Sequence, residues 1–241
     1  MMSFDSESPV KGFEELTEVV PWGRSLEEYT QFFELTPGDL ERRILDCGAG
    51  PASFTAEVTA RGGSVTAVDP IYRFSAADIE RRVHEVYPIM LRGMELERDR
   101  FVWTHAGSPE QVGERRLHAM RRFLDDLAPG LQAGRYQAVG LPELPFADDS
   151  FDLALSSHFL FLYSDQLSVE FHVGAITELL RVAPEMRIFP LLAMDGSVSP
   201  HLQVVIDEVR REGHEAEVRP IAFEFQKGGN RLLQVRRGAL A

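Results

Sequence analysis

The stretch from Arg43 to Asp69 leaves this chain little choice of architecture. The apolar run RIL enters the glycine turn DCGAGPAS, Asp46 to Ser53, and ASFTAEVTA follows with Phe54 and Val58 at helical spacing. Gly62 and Gly63 stop that helix, and SVTAVD reads as the next strand. Strand, turn, helix, strand is the opening of a parallel sheet that helices must cover. Further β-like runs, RYQAVG, SFDLALSS and MRIFPLLAM, alternate with longer helical stretches. Ahead of the first strand, SLEEYTQFF carries a capping box, Ser25 with Glu28, and sets Leu26, Tyr29, Phe32 and Phe33 along one face, a stripe that reads as core. SPHLQVVIDEVRREG reads as a helix with Pro200 in its first turn and Gly213 past its end. The last runs, AEVRPIAFEFQ and RLLQVRR, are joined by the short turn KGGN and predict an antiparallel hairpin. With 241 residues, 44% of them hydrophobic, the expectation is one α/β domain over 1–241.

The segment from about Arg73 to Arg135 is too long for one crossover helix. A helical insertion over about 73–135 is therefore expected after the second strand. Its two helices, SAADIERRVHEVYPIM and SPEQVGERRLHAMRRFLDDLAPG, open on serine caps, and LRGMELERDRFVWTHAG joins them. The arginine pairs Arg81–Arg82, Arg115–Arg116 and Arg121–Arg122 could receive an anionic substrate, but they read first as solvated faces paired with nearby carboxylates. A net charge of -13 argues against broad capture of nucleic acid or an anionic membrane. No apolar run approaches the ~20 residues of a spanning helix. The opening MMSFDSESPVKGFEELTE lacks the basic start and apolar centre of a signal peptide, so a cytoplasmic protein is expected. Cys47 is the single cysteine, which rules out an intramolecular disulfide and a cysteine-only metal site. His84, His105, His118 and His172 lack metal-ligand spacing, so no metal is expected.

Gly48 and Gly50 supply the backbone freedom of a nucleotide-binding turn. Asp69, nineteen positions beyond Gly50 at the end of the second strand, can accept hydrogen bonds from two ribose hydroxyls. That much suits a dinucleotide and S-adenosylmethionine alike. Asp46 separates them on this reading, because a carboxylate beside the turn opposes a pyrophosphate and suits an ammonium and a sulfonium.

ILDCGAGPASFTAEVTARGGSVTAVDP resembles the first two motifs of the class I S-adenosylmethionine-dependent methyltransferases, and LPFADDSFDLALSS resembles their segment before and along the fourth strand. The likeness spans roughly Ile44 to Val182 outside the insertion. It implies a Rossmann-like, seven-stranded, mostly parallel sheet closed by the antiparallel hairpin, with S-adenosyl-L-methionine as cofactor. Cofactor contacts are then expected from Asp46, Gly48, Ala49 and Gly50 in the turn, and from Asp69 to the ribose. Pro70 and Ile71 would lie along the adenine with the Leu141 backbone, and Ser156 and Ser157 at the end of the fourth strand. Arg24 would pair with the methionine carboxylate.

His158, just beyond that strand, is the candidate catalytic base. The chain departs from the family at Ala52, which takes the place of the third glycine, at Gly140, where an acidic residue often meets adenine, and at APEMRI, which lacks the usual Gly-Gly turn. DPIY, Asp69 to Tyr72, follows the wrong strand to act as an amino-methyltransferase motif; SSHF, Ser156 to Phe159, stands at that position. The expected reaction is methyl transfer to an unidentified small-molecule acceptor, with the insertion as substrate cap. Two alternatives are an S-adenosylmethionine-binding module without turnover and a nicotinamide-dependent oxidoreductase; Asp46 and the terminal hairpin disfavour the second.

Overall fold

In the computed structural model, which describes residues 20–238, the chain runs through α1 (Leu26–Phe33), α2 (Pro37–Leu40), β1 (Arg43–Cys47), α3 (Phe54–Thr59) and β2 (Ser64–Val68). α4 (Ala76–Leu96), α5 (Trp103–Ala106) and α6 (Pro109–Gln132) precede β3 (Tyr136–Gln137) and β4 (Leu153–Ser157). α7 (Val169–Val182), β5 (Glu185–Phe189), α8 (Leu202–Arg211), β6 (Glu215–Pro220) and β7 (Arg231–Arg236) complete it. The opening stretch on which the signal-peptide expectation rests lies outside the described residues. No helix among the described residues is long and apolar enough to cross a membrane.

Side-chain alternation along β1 assigns the two faces of the sheet. Ile44 joins Tyr29, Phe32, Phe33, Phe54 and Val58 under α1 and α3, whereas Leu45 joins Ile176, Leu179, Val205 and Val209 under α7 and α8. Burial on both faces is what a parallel sheet requires. The strand order is β3-β2-β1-β4-β5-β7-β6, and β7 runs antiparallel to both of its neighbours. This is the Rossmann-like, mostly parallel, seven-stranded sheet expected from the sequence, with its antiparallel C-terminal strands and its helical segment after the second strand.

Four details differ from the sequence reading. α4 runs on past Pro88 to Leu96 because Val83, Val86 and Met94 keep its buried stripe going. α8 begins only at Leu202, so Pro200 precedes the helix. The KGGN hairpin is not tight, since β6 ends at Pro220 and residues 221–230 leave the sheet before β7 begins. Within that connection Phe225 stacks on Phe101 of the insertion at 4.8 Å, and Phe223 packs against Phe32 and Phe189. Finally, the insertion is not all roof. Parallel pairing of β2 with β3 needs a covering crossover, and α6 supplies it by packing Phe123 against Tyr136 and Tyr72. The added element is α4 with α5.

A buried ion pair ties β5 to α2. Arg187 Nη2 lies 3.0 Å from Asp39 Oδ1, and Arg187 Nη1 donates to the Phe33 carbonyl at 2.9 Å. Burial alone would raise the Asp39 pKa, but the Thr36 amide and Arg187 overcome it and hold the group down at about 2. The folded value is depressed below the model-compound 3.8, so this stabilisation is present above about pH 4 and is lost as the pH falls through 2. Arg187→Met is expected to cost about 1.5–3 kcal/mol in urea unfolding at neutral pH, because Asp39 loses its charged hydrogen bonds to Arg187 and keeps only Arg42 and Thr36 as partners. Much of that difference from wild type should vanish near pH 2.

Candidate active site

The glycine turn spends its amides on the protein itself. Gly48 N–H donates to the Val68 carbonyl at 2.9 Å, and Ala49 N–H reaches the same oxygen at 3.4 Å. Gly50 N–H donates to Asp69 Oδ2 at 2.9 Å, while Ile71 N–H caps Asp69 Oδ1 at 2.9 Å. Residues 22–24 lie against the start of α3: Ser53 N–H donates to the Arg24 carbonyl at 3.0 Å, and a Cβ on Gly23 would fall 2.0 Å from the Pro51 carbonyl oxygen. A phosphate at this turn needs free N–H groups, and these three amides are taken. Each Asp69 oxygen carries one amide and keeps a second lone pair.

The two glycines do different work. Gly50, at φ +55°, has nothing within 4 Å of where a Cβ would stand, and it lines a cavity of about 770 Å³. Gly48, at φ +68°, supports the ring of Phe159, which a Cβ would meet at 2.6 Å. Of the twelve site residues expected from the sequence, ten line this cavity: Arg24, Gly48, Ala49, Gly50, Asp69, Pro70, Ile71, Leu141, Ser157 and His158. The volume suits a small-molecule ligand. Gly140 lies close to the Pro70 ring, where a Cβ would make a tight contact at 3.2 Å.

Ser156 and Asp46 are not on the cavity wall. Alternation along β4 sends Ser156 to the α7 face, where its hydroxyl is buried without a hydrogen bond. Asp46 is fully buried on the α1 face, where the Tyr29 hydroxyl donates to its Oδ1 at 3.2 Å while Oδ2 has no partner. Burial, aided by the Asp69 charge, pushes its pKa up to about 8. Asp46 is thus largely protonated at neutral pH, and its charge is not what bars a pyrophosphate; the occupied turn amides do that.

Arg24 reaches the cavity from above. Its Nη1 donates to the Trp22 carbonyl at 2.7 Å, its Nε is buried without a partner, and burial together with the Arg116 cation lowers its pKa to about 9. His158 adopts a left-handed backbone at φ +52°, with its amide donating to the Phe189 carbonyl at 2.6 Å. Its Nδ1 lies 3.0 Å from Ser157 Oγ. Burial, then the Arg24 and Arg116 charges, hold its pKa well below the usual histidine range, so the ring is neutral at physiological pH.

A second chamber of about 130 Å³ adjoins the first and shares Val20, Trp22, Arg24, His158 and Tyr163 with it. Met90, Met94 and Phe101 of the insertion close one side, and Phe223 and Phe225 of the 221–230 connection close another. Sequence reasoning missed Tyr29, whose hydroxyl distinguished it from the phenylalanines of its stripe. It also missed Tyr163, whose hydroxyl accepts from the Val20 amide at 3.1 Å. Arg81 and Arg82 do form exposed ion pairs, but Arg116 is buried and paired with Glu28.

No family model matches the chain. The uncharacterized protein MJ0045 of Methanocaldococcus jannaschii is 33% identical over 225 residues, which span 92% of this chain and 98% of that protein. Among solved structures, magnesium protoporphyrin IX methyltransferase from Synechocystis PCC 6803 with bound SAH is similar at 11% identity and a TM-score of 0.45, over 88% of this chain and 81% of that one. A putative S-adenosyl-L-methionine-dependent methyltransferase from Methanococcus maripaludis is similar at 14% identity and a TM-score of 0.43, over 90% of this chain and 84% of that one.

The raised Asp46 pKa has a stability consequence. The unfolded state gives up this proton from about pH 4 while the folded state keeps it to about pH 8, so this contribution falls across that window by at most about 1.4 kcal/mol per pH unit. Asp46→Asn mimics the neutral acid. Urea unfolding is expected to find the variant close to wild type at pH 4 and more stable than wild type at pH 8.

Proposed function

We propose that this chain, which belongs to the family of the uncharacterized protein MJ0045 of Methanocaldococcus jannaschii, is a methyltransferase that draws its methyl group from S-adenosylmethionine and passes it to a small-molecule acceptor. The observation that carries this reading is the division of labour around Gly50. The turn offers open space and a carboxylate where a nucleoside would lie, but none of the three amides a pyrophosphate would require. A nicotinamide dinucleotide is disfavoured on the same ground.

The residues present fit the cofactor. Asp69 has the spare lone pairs to accept two ribose hydroxyls. Pro70, Ile71 and Leu141 give an apolar flank for adenine, and Arg24, a buried guanidinium with an unpartnered Nε, is the cation for the methionine carboxylate. Bound there, the cofactor would supply a methyl group already electrophilic on its sulfonium. The protein's remaining tasks are to align the acceptor, exclude water and take up a proton where the acceptor loses one. His158 is the candidate base: its ring is neutral, it lines both chambers, and Nδ1 is engaged by Ser157. α4 and the residues following it, through Met90, Met94 and Phe101, form the cap over the acceptor side.

Calorimetry is the direct test. S-adenosylmethionine or S-adenosylhomocysteine should bind and NAD should not; tight NAD binding with no response to either sulfur compound would falsify the reading. Gly50→Asn, whose side chain tolerates the left-handed backbone at φ +55°, should abolish binding while far-UV circular dichroism stays native, since the new side chain enters the cavity. Asp69→Ala should weaken binding by roughly tenfold or more, as two hydrogen bonds are lost. His158→Ala should leave cofactor affinity within a few-fold and depress S-adenosylhomocysteine release during a screen of metabolite pools; full turnover in that variant would remove His158 from the chemistry.

A further inference from the structure

The second chamber has a composition that the cofactor reading does not use. Its walls are rings and thioethers: Phe32 stacks on Phe189 at 4.8 Å and meets Phe223 edge-on at 4.7 Å, with Met90 and Met94 facing them from α4. At about 130 Å³ it approximates a dry apolar cavity able to hold a single benzene ring, about 150 Å³. Yet three guanidinium groups, Arg24, Arg100 and Arg116, also line it, and among the described residues no aspartate or glutamate does. Arg116 is only 6% exposed. Its Nη1 is paired with Glu28, but its Nε is buried without a partner, as is the Nε of Arg24.

The Arg116 cation opposes the charge on Arg24, and Glu28 is the carboxylate that interacts with both. Arg100 is already committed to Glu97 and to the Met194 carbonyl at 2.7 Å. Two buried cations therefore share one carboxylate, in a protein whose net charge is -13. An excess buried cation is costly unless an anion meets it. Arg24 opens onto both chambers, whereas Arg116 opens only onto the smaller one. If Arg24 serves the cofactor end, Arg116 is left for whatever enters the second chamber.

We propose that the second chamber binds a single-ring aromatic carboxylate, with the ring held among Phe32, Phe223 and Met94 and the carboxylate on Arg116. Resting on the methyltransferase reading, this compound is the methyl acceptor, entering with its reactive substituent toward His158 and the larger cavity. The ring supplies shape and dispersion contacts, and the guanidinium supplies specificity against neutral analogues.

The test uses the full chain and two probes of nearly equal shape, 4-hydroxybenzoate and 4-hydroxybenzamide, titrated by calorimetry with and without S-adenosylhomocysteine. The carboxylate should bind at least tenfold tighter than the amide. Arg116→Gln should abolish that preference while S-adenosylhomocysteine still binds. Because Arg116→Gln leaves Glu28 stranded and can compromise folding, Glu28→Gln is the second variant. Glutamine preserves the N3 position of the α1 capping box and removes the competing anion, so carboxylate affinity should rise several-fold. A merely structural Arg116–Glu28 pair would not give that gain.

Equal affinity for the two probes, no binding of either, or an unchanged or weaker carboxylate affinity in Glu28→Gln would each overturn the proposal. The two readings fail separately. Binding of S-adenosylhomocysteine without the probes removes only the aromatic-carboxylate assignment. Probe binding with the expected variant responses but without S-adenosylhomocysteine upholds the chamber's ligand class and removes its role as methyl acceptor.

Discussion

The backbone hydrogen bond from the Ser53 amide to the Arg24 carbonyl sets the geometry on which the rest of the site depends. It fastens residues 22–24 onto the start of α3, with Gly23 against Pro51 too closely for any side chain. That seating is reinforced one step on, where Leu26 N–H donates to Glu57 at 3.2 Å, and again where the Tyr29 hydroxyl reaches Asp46. Its consequences run in two directions. The helix start is covered, which closes the place where a phosphate would sit. The Arg24 side chain is fixed at the junction of the two chambers, where its charge acts on both His158 and Glu28.

Local features of this fold were legible in the sequence because their causes are local. Gly48, Gly50 and the Phe54/Val58 spacing specify a strand-turn-helix whatever lies elsewhere, and the polarity of the last two strands follows from a connection too short to cross the sheet. Ten of the twelve expected site residues share one cavity because strand ends on one edge of a parallel sheet converge. What was not legible depended on distant partners. Arg116 is one of six paired arginines in the insertion, and only the approach of Glu28, 88 positions away, makes it a buried cation. Phe223 and Phe225 continue an alternating run that looks like strand; Phe225 instead stacks on Phe101 of the insertion, while Phe223 packs against Phe32 and Phe189. Ser156 was assigned by its place after a motif, and the two-residue period of β4 sent it to the opposite face.

The position of Asp46 shows how the same residue can carry the right association for a different reason. As a charge beside the turn it would repel a pyrophosphate, but burial keeps it protonated. A cation arriving nearby would favour ionisation, so the carboxyl is an acid whose charge appears on demand and not a standing anion. Tyr29, which donates to it, favours the ionised form, whereas the neighbouring Asp69 opposes it. The field at this end of the cavity is therefore set jointly by two carboxyls and a phenol.

His158 stands where these influences meet. Its left-handed backbone would cost a glycine little, and for a histidine such strain amounts to about 1–3 kcal/mol. The surrounding structure holds it there: the amide bonds to Phe189 O, and the imidazole packs 5.1 Å from Phe32 and 5.3 Å from Phe189. What the strain secures is a ring that faces both chambers. The larger chamber carries Asp69 together with Arg24, and the smaller carries Arg24 and Arg116. Those cations, added to burial, keep the imidazole neutral, so the same excess positive charge that calls for an anionic occupant also leaves the neighbouring nitrogen ready to accept a proton.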